Sequence, residues 1–163
     1  MKLFKNGLLF FALFVPALSM AATPKEEAQQ LVDAVLPFAE QALSKRGEFY
    51  PFGVELTSSG KVEAAMGYNG QGHPSSAEVI TMLHAGFAAK AKAGQVRATA
   101  LAYDARVQAP GTSSKSDAVA IEVEHHNGYN ATIYFPYTIK AGVVSFANPF
   151  AVAGPHQVFG GGS

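Results

Sequence analysis

The chain predicts an α+β domain: two helices packed on one face of an antiparallel sheet of about six strands, in the order α-β-β-α-β-β-β-β. Three observations carry that expectation. Apolar residues recur at helical spacing in two stretches, Leu31 to Ala42 and Val79 to Ala91. The other apolar segments are short and rich in Val, Ile, Tyr and Phe, as strands are. Most connections between them are tight turns, so the strands they join must pair antiparallel.

The elements follow in order. Thr23 caps the first helix, with Pro24 at its first position and Glu26 and Glu27 in its first turn. Leu31, Val35, Phe38 and Ala42 form the expected apolar stripe. Pro37 inside it is expected to kink or split the helix, and Gly47 to stop it. Phe49 to Leu56 reads as an edge or bulged strand because it holds Pro51 and Gly53. Ser58-Ser59-Gly60 turns it into a return strand, Val62 to Tyr68, and Asn69 to Pro74 is a loop. Ser75 or Ser76 caps the second helix, whose stripe is Val79, Ile80, Leu83, Phe87 and Ala91. Gly86 lies within it as a close-packing position, and Gly94 ends it. Four strands follow: Val96 to Val107, Ala118 to His125, Tyr129 to Ile139 and Val143 to Phe150. Asn127-Gly128 is a strong hairpin signal between the second and third of them.

Ahead of this domain stand Lys2 and Lys5, then an apolar run from Leu8 to Ser19, then small residues at Ser19, Ala21 and Ala22. That is the order of a secretory signal peptide, cleaved after Ala21 or Ala22. A bilayer span needs roughly 20 apolar residues, more than this run offers. Residues 1–22 are therefore expected to be a removable leader, 23–153 a single domain, and the Gly-rich 154–163 a flexible tail. The destination expected is the periplasm or the exterior, with no stable membrane insertion after cleavage.

Composition narrows the partners. The chain has 12 basic and 12 acidic residues. So balanced a charge gives no electrostatic case for nucleic acid. The absence of cysteine removes disulfides, a thiol nucleophile and a thiolate metal site. No phosphate-binding loop, G-x-S-x-G or H-E-x-x-H pattern occurs, so no cofactor and no enzyme class is indicated.

Three segments, Gly47 to Gly53 (GEFYPFG), Lys115 to Ala120 (KSDAVA) and Tyr134 to Tyr137 (YFPY), together resemble an uncharacterised family of small bacterial α+β domains. The resemblance runs over nearly all of residues 23–163, and the element order is also similar to roadblock and profilin-like layouts. It implies a fold and no catalytic residue. Some such domains are similar in layout to immunity proteins, which bind and block a toxin, so a binding role is what it suggests.

The residues that can carry chemistry are few. Alternation places Glu122, Glu124 and His126 on one strand face and Val123 and His125 on the other. Two carboxylates and an imidazole can hold a divalent metal or supply an acid and a base for hydrolysis. The plainer account is a solvated sheet face ending in a hairpin. His73 and His84 are candidate further ligands, His84 being read first as a partly buried, hydrogen-bonded histidine. Asp104 and Arg106 share a face, with an ion pair to Glu122 or Glu124 expected. Lys115, Ser116 and Asp117 lack the S-x-x-K spacing of a Ser-Lys hydrolase.

Tyr50, Tyr134 and Tyr137, in two aromatic clusters, are first of all core and cross-strand packing. If helices cover one face only, some of these tyrosines remain exposed, and with His73 in its loop they form a candidate binding surface. The sequence-level expectation is thus a small exported domain that recognises a protein partner, as an inhibitor or immunity protein would. The alternative is a metal-binding or hydrolytic protein using Glu122, Glu124 and His126. The strand at Phe49–Leu56 offers an edge to a second chain, so monomer and dimer both fit.

Overall fold

The computed structural model describes residues 21–65 and 72–160. The apolar run of the expected leader, the end of the return strand at 66–68, and the last three residues of the tail lie outside them. The elements are α1 (Pro24–Arg46), β1 (Phe52–Thr57), β2 (Val62–Ala65), α2 (Ser76–Lys92), β3 (Val96–Gln108), β4 (Lys115–His125), β5 (Asn130–Lys140), β6 (Val143–Phe146) and β7 (Phe150–Val152). They form an α+β domain built on one open antiparallel sheet, ordered β2-β1-β3-β4-β5-β6, with β7 also paired to β5.

Both helices begin with a capping box. Thr23 and Glu26 bond reciprocally at α1, and Ser75 and Glu78 at α2. Gly47 closes α1 in the left-handed region at φ 76°. Pro37 does not split α1. It lies on the exposed side with Asp33, so the Asp33 carbonyl that loses its helical donor faces water. The buried stripe is Ala28, Leu31, Val32, Val35, Ala39 and Leu43. It follows i+4 steps beyond Val35, which turns Phe38 outward and leaves it 66% exposed.

The helices pack on opposite faces of the sheet, not on one. Val54 and Leu56 of β1, Ala98, Ala100 and Ala102 of β3, and Val119, Ile121 and Val123 of β4 meet α1. The alternate positions of β1 and β3 face α2: Gly53 lies against Phe87, and Leu101 packs with Val79, Leu83 and Phe87. The reason is legible in β3, where residues 98–102 are all buried rather than alternating. A strand apolar on both sides needs cover on both sides. Its three alanines toward α1 let that helix sit close. The α2 crossover connects β2 to β3, the two strands that flank β1.

Consequently β1 is interior, paired to β2 and β3, and the edge expected at Phe49–Leu56 is not there. Pro51 precedes the strand, so no ladder bond is lost to it. The far side of β5 is shared by β6 and β7. Tyr137 pairs with Phe146 and Tyr134 with Phe150. Between these pairs, residues 147–149 oppose only 135 and 136, a bulge that contains Pro149.

Two glycine expectations change. Gly86 is exposed on α2, and a Cβ there would meet nothing within 4 Å. It is not a close-packing position. Gly86→Ala is expected to raise stability by about 0.5–1 kcal/mol through helix propensity and reduced chain entropy. A higher urea midpoint checks this; an unchanged or lower one contradicts it. The tail is likewise docked over its described part. Val158 is buried with the α2 stripe, and Gly154 lies so close to the Ala131 backbone that a Cβ would come within 2.7 Å of it.

Candidate functional site

The α2 face carries one polar cluster. Alternation brings Tyr103 of β3, Glu122 of β4 and Tyr134 of β5 to this face, beside His84 of α2. Glu122 Oε1 accepts the Tyr103 hydroxyl at 2.8 Å, and Oε2 lies 2.9 Å from His84 Nε2. A carboxylate only accepts, so Nε2 carries the proton. Burial, with the charge and hydrogen bond of Glu122 added, pushes the Tyr103 hydroxyl well above its ordinary range. Tyr103 thus remains a donor, and both Glu122 oxygens are engaged. The cluster cross-links α2, β3 and β4.

Glu124, on the same face, is buried and bonded differently. Its Oε1 accepts the N–H of Gln157 at 3.0 Å, and its Oε2 those of Val158 at 3.1 Å and Phe159 at 3.4 Å. His126 is exposed, and its ring stacks on His125 with centroids 4.7 Å apart. The expected set of Glu122, Glu124 and His126 is therefore not one site. Strand pairing ends at His125 and the Asn127-Gly128 turn begins at His126, which breaks the alternation. Among the described residues no group of three or more His, Asp or Glu side chains is placed to hold a metal ion. The expected pairing of Asp104 or Arg106 with these glutamates fails for a related reason. Both lie on the α1 face, where Asp104 accepts the Tyr137 hydroxyl at 3.0 Å and Arg106 stands opposite Asp117.

A second polar cluster, on the α1 face, is one that the sequence reading missed. Glu27 Oε2 accepts from His125 Nε2 at 2.8 Å and from Arg97 Nε at 3.0 Å, and Oε1 pairs with the Arg97 fork. His125 Nδ1 accepts the Asn127 N–H at 3.0 Å, so the ring proton sits on Nε2. Both ring nitrogens are occupied, which leaves none to act as a base. Arg97 reaches this face because of a register shift. Leu56 pairs with Ala98 but Thr57 pairs with Val96, so the bulge swings Arg97 to the side of Ala98. The signal in the sequence was His125, placed by alternation among Val119, Ile121 and Val123.

The candidate tyrosines separate. Tyr137 is buried, its hydroxyl on Asp104, so it is core and not surface. Tyr134 is half-buried against Phe150, with centroids 5.2 Å apart. His73 is exposed in the approach to α2. Tyr50 is 54% exposed, next to a row of phenylalanines. Phe49, which is buried, contacts Phe52 edge-on at 5.9 Å, and Phe52 contacts Phe38 edge-on at 6.5 Å. The row runs from the core into solvent. An open groove of about 610 Å³ lies elsewhere, between the β3–β4 loop and the bulge at Pro149. Its lining includes Pro110, Pro136, Phe146 and Phe150 and no charged side chain, so it holds no acid–base pair.

Comparison with family models, with curated proteins and with solved structures finds no match.

Proposed function

We propose that the protein is a small exported binding domain that recognises a protein partner through the aromatic surface formed by Phe38, Tyr50 and Phe52. The observation that carries this reading is the row itself. Phe38 remains 66% exposed although Val35 and Ala39 on the same helix are fully buried. A large apolar side chain held in solvent by an ordered aromatic neighbour is already positioned, so binding costs little rotamer entropy. Anchors at binding hot spots are commonly aromatic. An inhibitor or immunity role belongs to the same reading, because such proteins act by covering a partner's surface. The leader-like order of residues 1–22 supports export. A hydrolytic or metal-dependent role has less support, since Glu122, Glu124 and His126 have separate partners.

The test is affinity capture from an envelope extract with the chain Thr23–Ser163 and with its Phe38→Ser variant. Phe38 contributes little to the core, so the variant is expected to keep its melting temperature within about 2 °C, consistent with a surface change of about 0.5 kcal/mol. It is expected to lose a partner that the parent retains at one-to-one stoichiometry. Equal retention by both chains, or no stoichiometric partner for the parent, rejects this surface.

A further inference from the structure

The contact between Glu124 and the tail has the make-up of a peptide-binding site. Three successive backbone N–H groups, of Gln157, Val158 and Phe159, converge on one buried carboxylate. Such a run of amides is a nest for an anion, here filled by a side chain of the sheet. Beside it Val158 enters a pocket made by Val79, Leu83, Phe87 and Leu101. The tail adds no strand, because β6 and β7 already occupy the free side of β5. It follows the last strand, and Gly154 sets the angle at which it crosses Ala131. The segment is therefore held by one carboxylate, the side chains of Val158 and the partly buried Phe159, the backbone contact of Gly154 with Ala131, and a hydrogen bond from Asn130 to His156. Nothing in the sheet needs to unpair for it to leave.

We infer that the cleft between α2 and the end of β4 is a binding site for a short peptide of the pattern Gly-Pro-x-x-Val-Phe-Gly, and that the chain's own residues 154–160 are its resident, displaceable ligand. Glu124 reads the peptide backbone, and the pocket floored by Leu101 reads the valine. This site is on the face opposite α1 and does not rest on the aromatic surface.

The probe is the capped peptide GPHQVFG, labelled for fluorescence anisotropy. Full-length wild type is expected to bind it weakly, because its own tail competes at an effective concentration on the order of millimolar. Val158→Asp releases that tail in place, since a charge does not enter an apolar pocket. The V158D chain is expected to bind the peptide at least tenfold more tightly than wild type. Adding E124Q to V158D is expected to reverse the gain by at least tenfold. A folded V158D chain that binds no better than wild type overturns the inference, as does indifference to E124Q. Should V158D fail to fold, amide exchange of the wild type decides. The amides of 157–159 are expected to exchange at least a hundredfold faster than those of Leu101 and Val123. Exchange in step with that core would show the tail to be inseparable from the fold, and the inference fails.

Discussion

Glu27→Ala is expected to lower the stability of the domain by about 3 kcal/mol at neutral pH, the loss seen when one partner of a buried ion pair is removed. Two groups lose their counterpart at once. His125 is only 3% exposed, so its Nε2–H would be left in the core without an acceptor. Arg97 would lose both bonds of its fork. The loss depends on pH with a definite sign. Burial acts to raise the Glu27 carboxyl, but the hydrogen bonds from His125 and Arg97, with the Arg97 charge, outweigh it and hold it below its ordinary value. A depressed folded value means that its stabilisation is complete above the unfolded carboxyl range, near about 4.3, and fades as pH falls through the folded value. Urea titrations of both proteins are expected to differ most near pH 7 and to converge in the acid range, with m unchanged. Identical midpoints at pH 7 would show that the cluster contributes nothing.

Gly53→Ala is expected to cost about 2 kcal/mol, the scale of overpacking in a tight core. The position is not in the left-handed region, so the effect is steric alone. A Cβ there would stand 2.6 Å from Phe87 Cζ and 2.9 Å from the Ala100 carbonyl oxygen. The ring can move; the carbonyl belongs to the neighbouring strand and cannot. Phe87→Leu alone opens a cavity and costs about 1–2 kcal/mol. Combined with Gly53→Ala, it is expected to cost clearly less than the sum of the two, because the smaller side chain removes one of the two clashes. A double-mutant cycle from urea denaturation measures that coupling. Strict additivity would place the strain entirely at Ala100.

Much of the frame was readable in advance, for local reasons. Thr23, Pro24 and Glu26 announce a helix start through hydrogen bonds that lie within four residues of one another. Asn127-Gly128 announces a hairpin in the same way, and Gly128 adopts φ 86° there. The layering was not readable, because it depends on what lies across the sheet. Antiparallel sheets often leave one face wet, and the continuous burial of 53–56, 98–102 and 118–121 argues otherwise. Phe38 shows the same limit at the scale of one turn. Steps of three and four from Val35 both continue a helical stripe, and the sheet selects Ala39. Alternation brought Glu122 and Glu124 to one face but did not reveal their partners. One depends on a helix placed by tertiary packing. The other depends on a tail whose glycines read as freedom, whereas Gly154 and Gly160 each allow a backbone contact that a Cβ would block.

The two outer borders of the sheet have a consequence for how the native protein meets its own copies. Among the described residues, β2 on one side has four residues; on the other, β6 has four and β7 three, with Pro149 between them. Cross-β stacking needs an uninterrupted row of free backbone groups, in segments of about six residues. Neither of these two borders offers one among the described residues. The apolar stretches best suited to such stacking, 98–102 of β3, 118–123 of β4 and 132–134 of β5, are paired on both sides. The stretch of β3 that pairs with β4 alone, 103–108, is interrupted by the charges of Asp104 and Arg106. Fibril seeding through those paired stretches must therefore begin with an opened molecule, and its rate should follow the unfolded fraction rather than the concentration of folded protein.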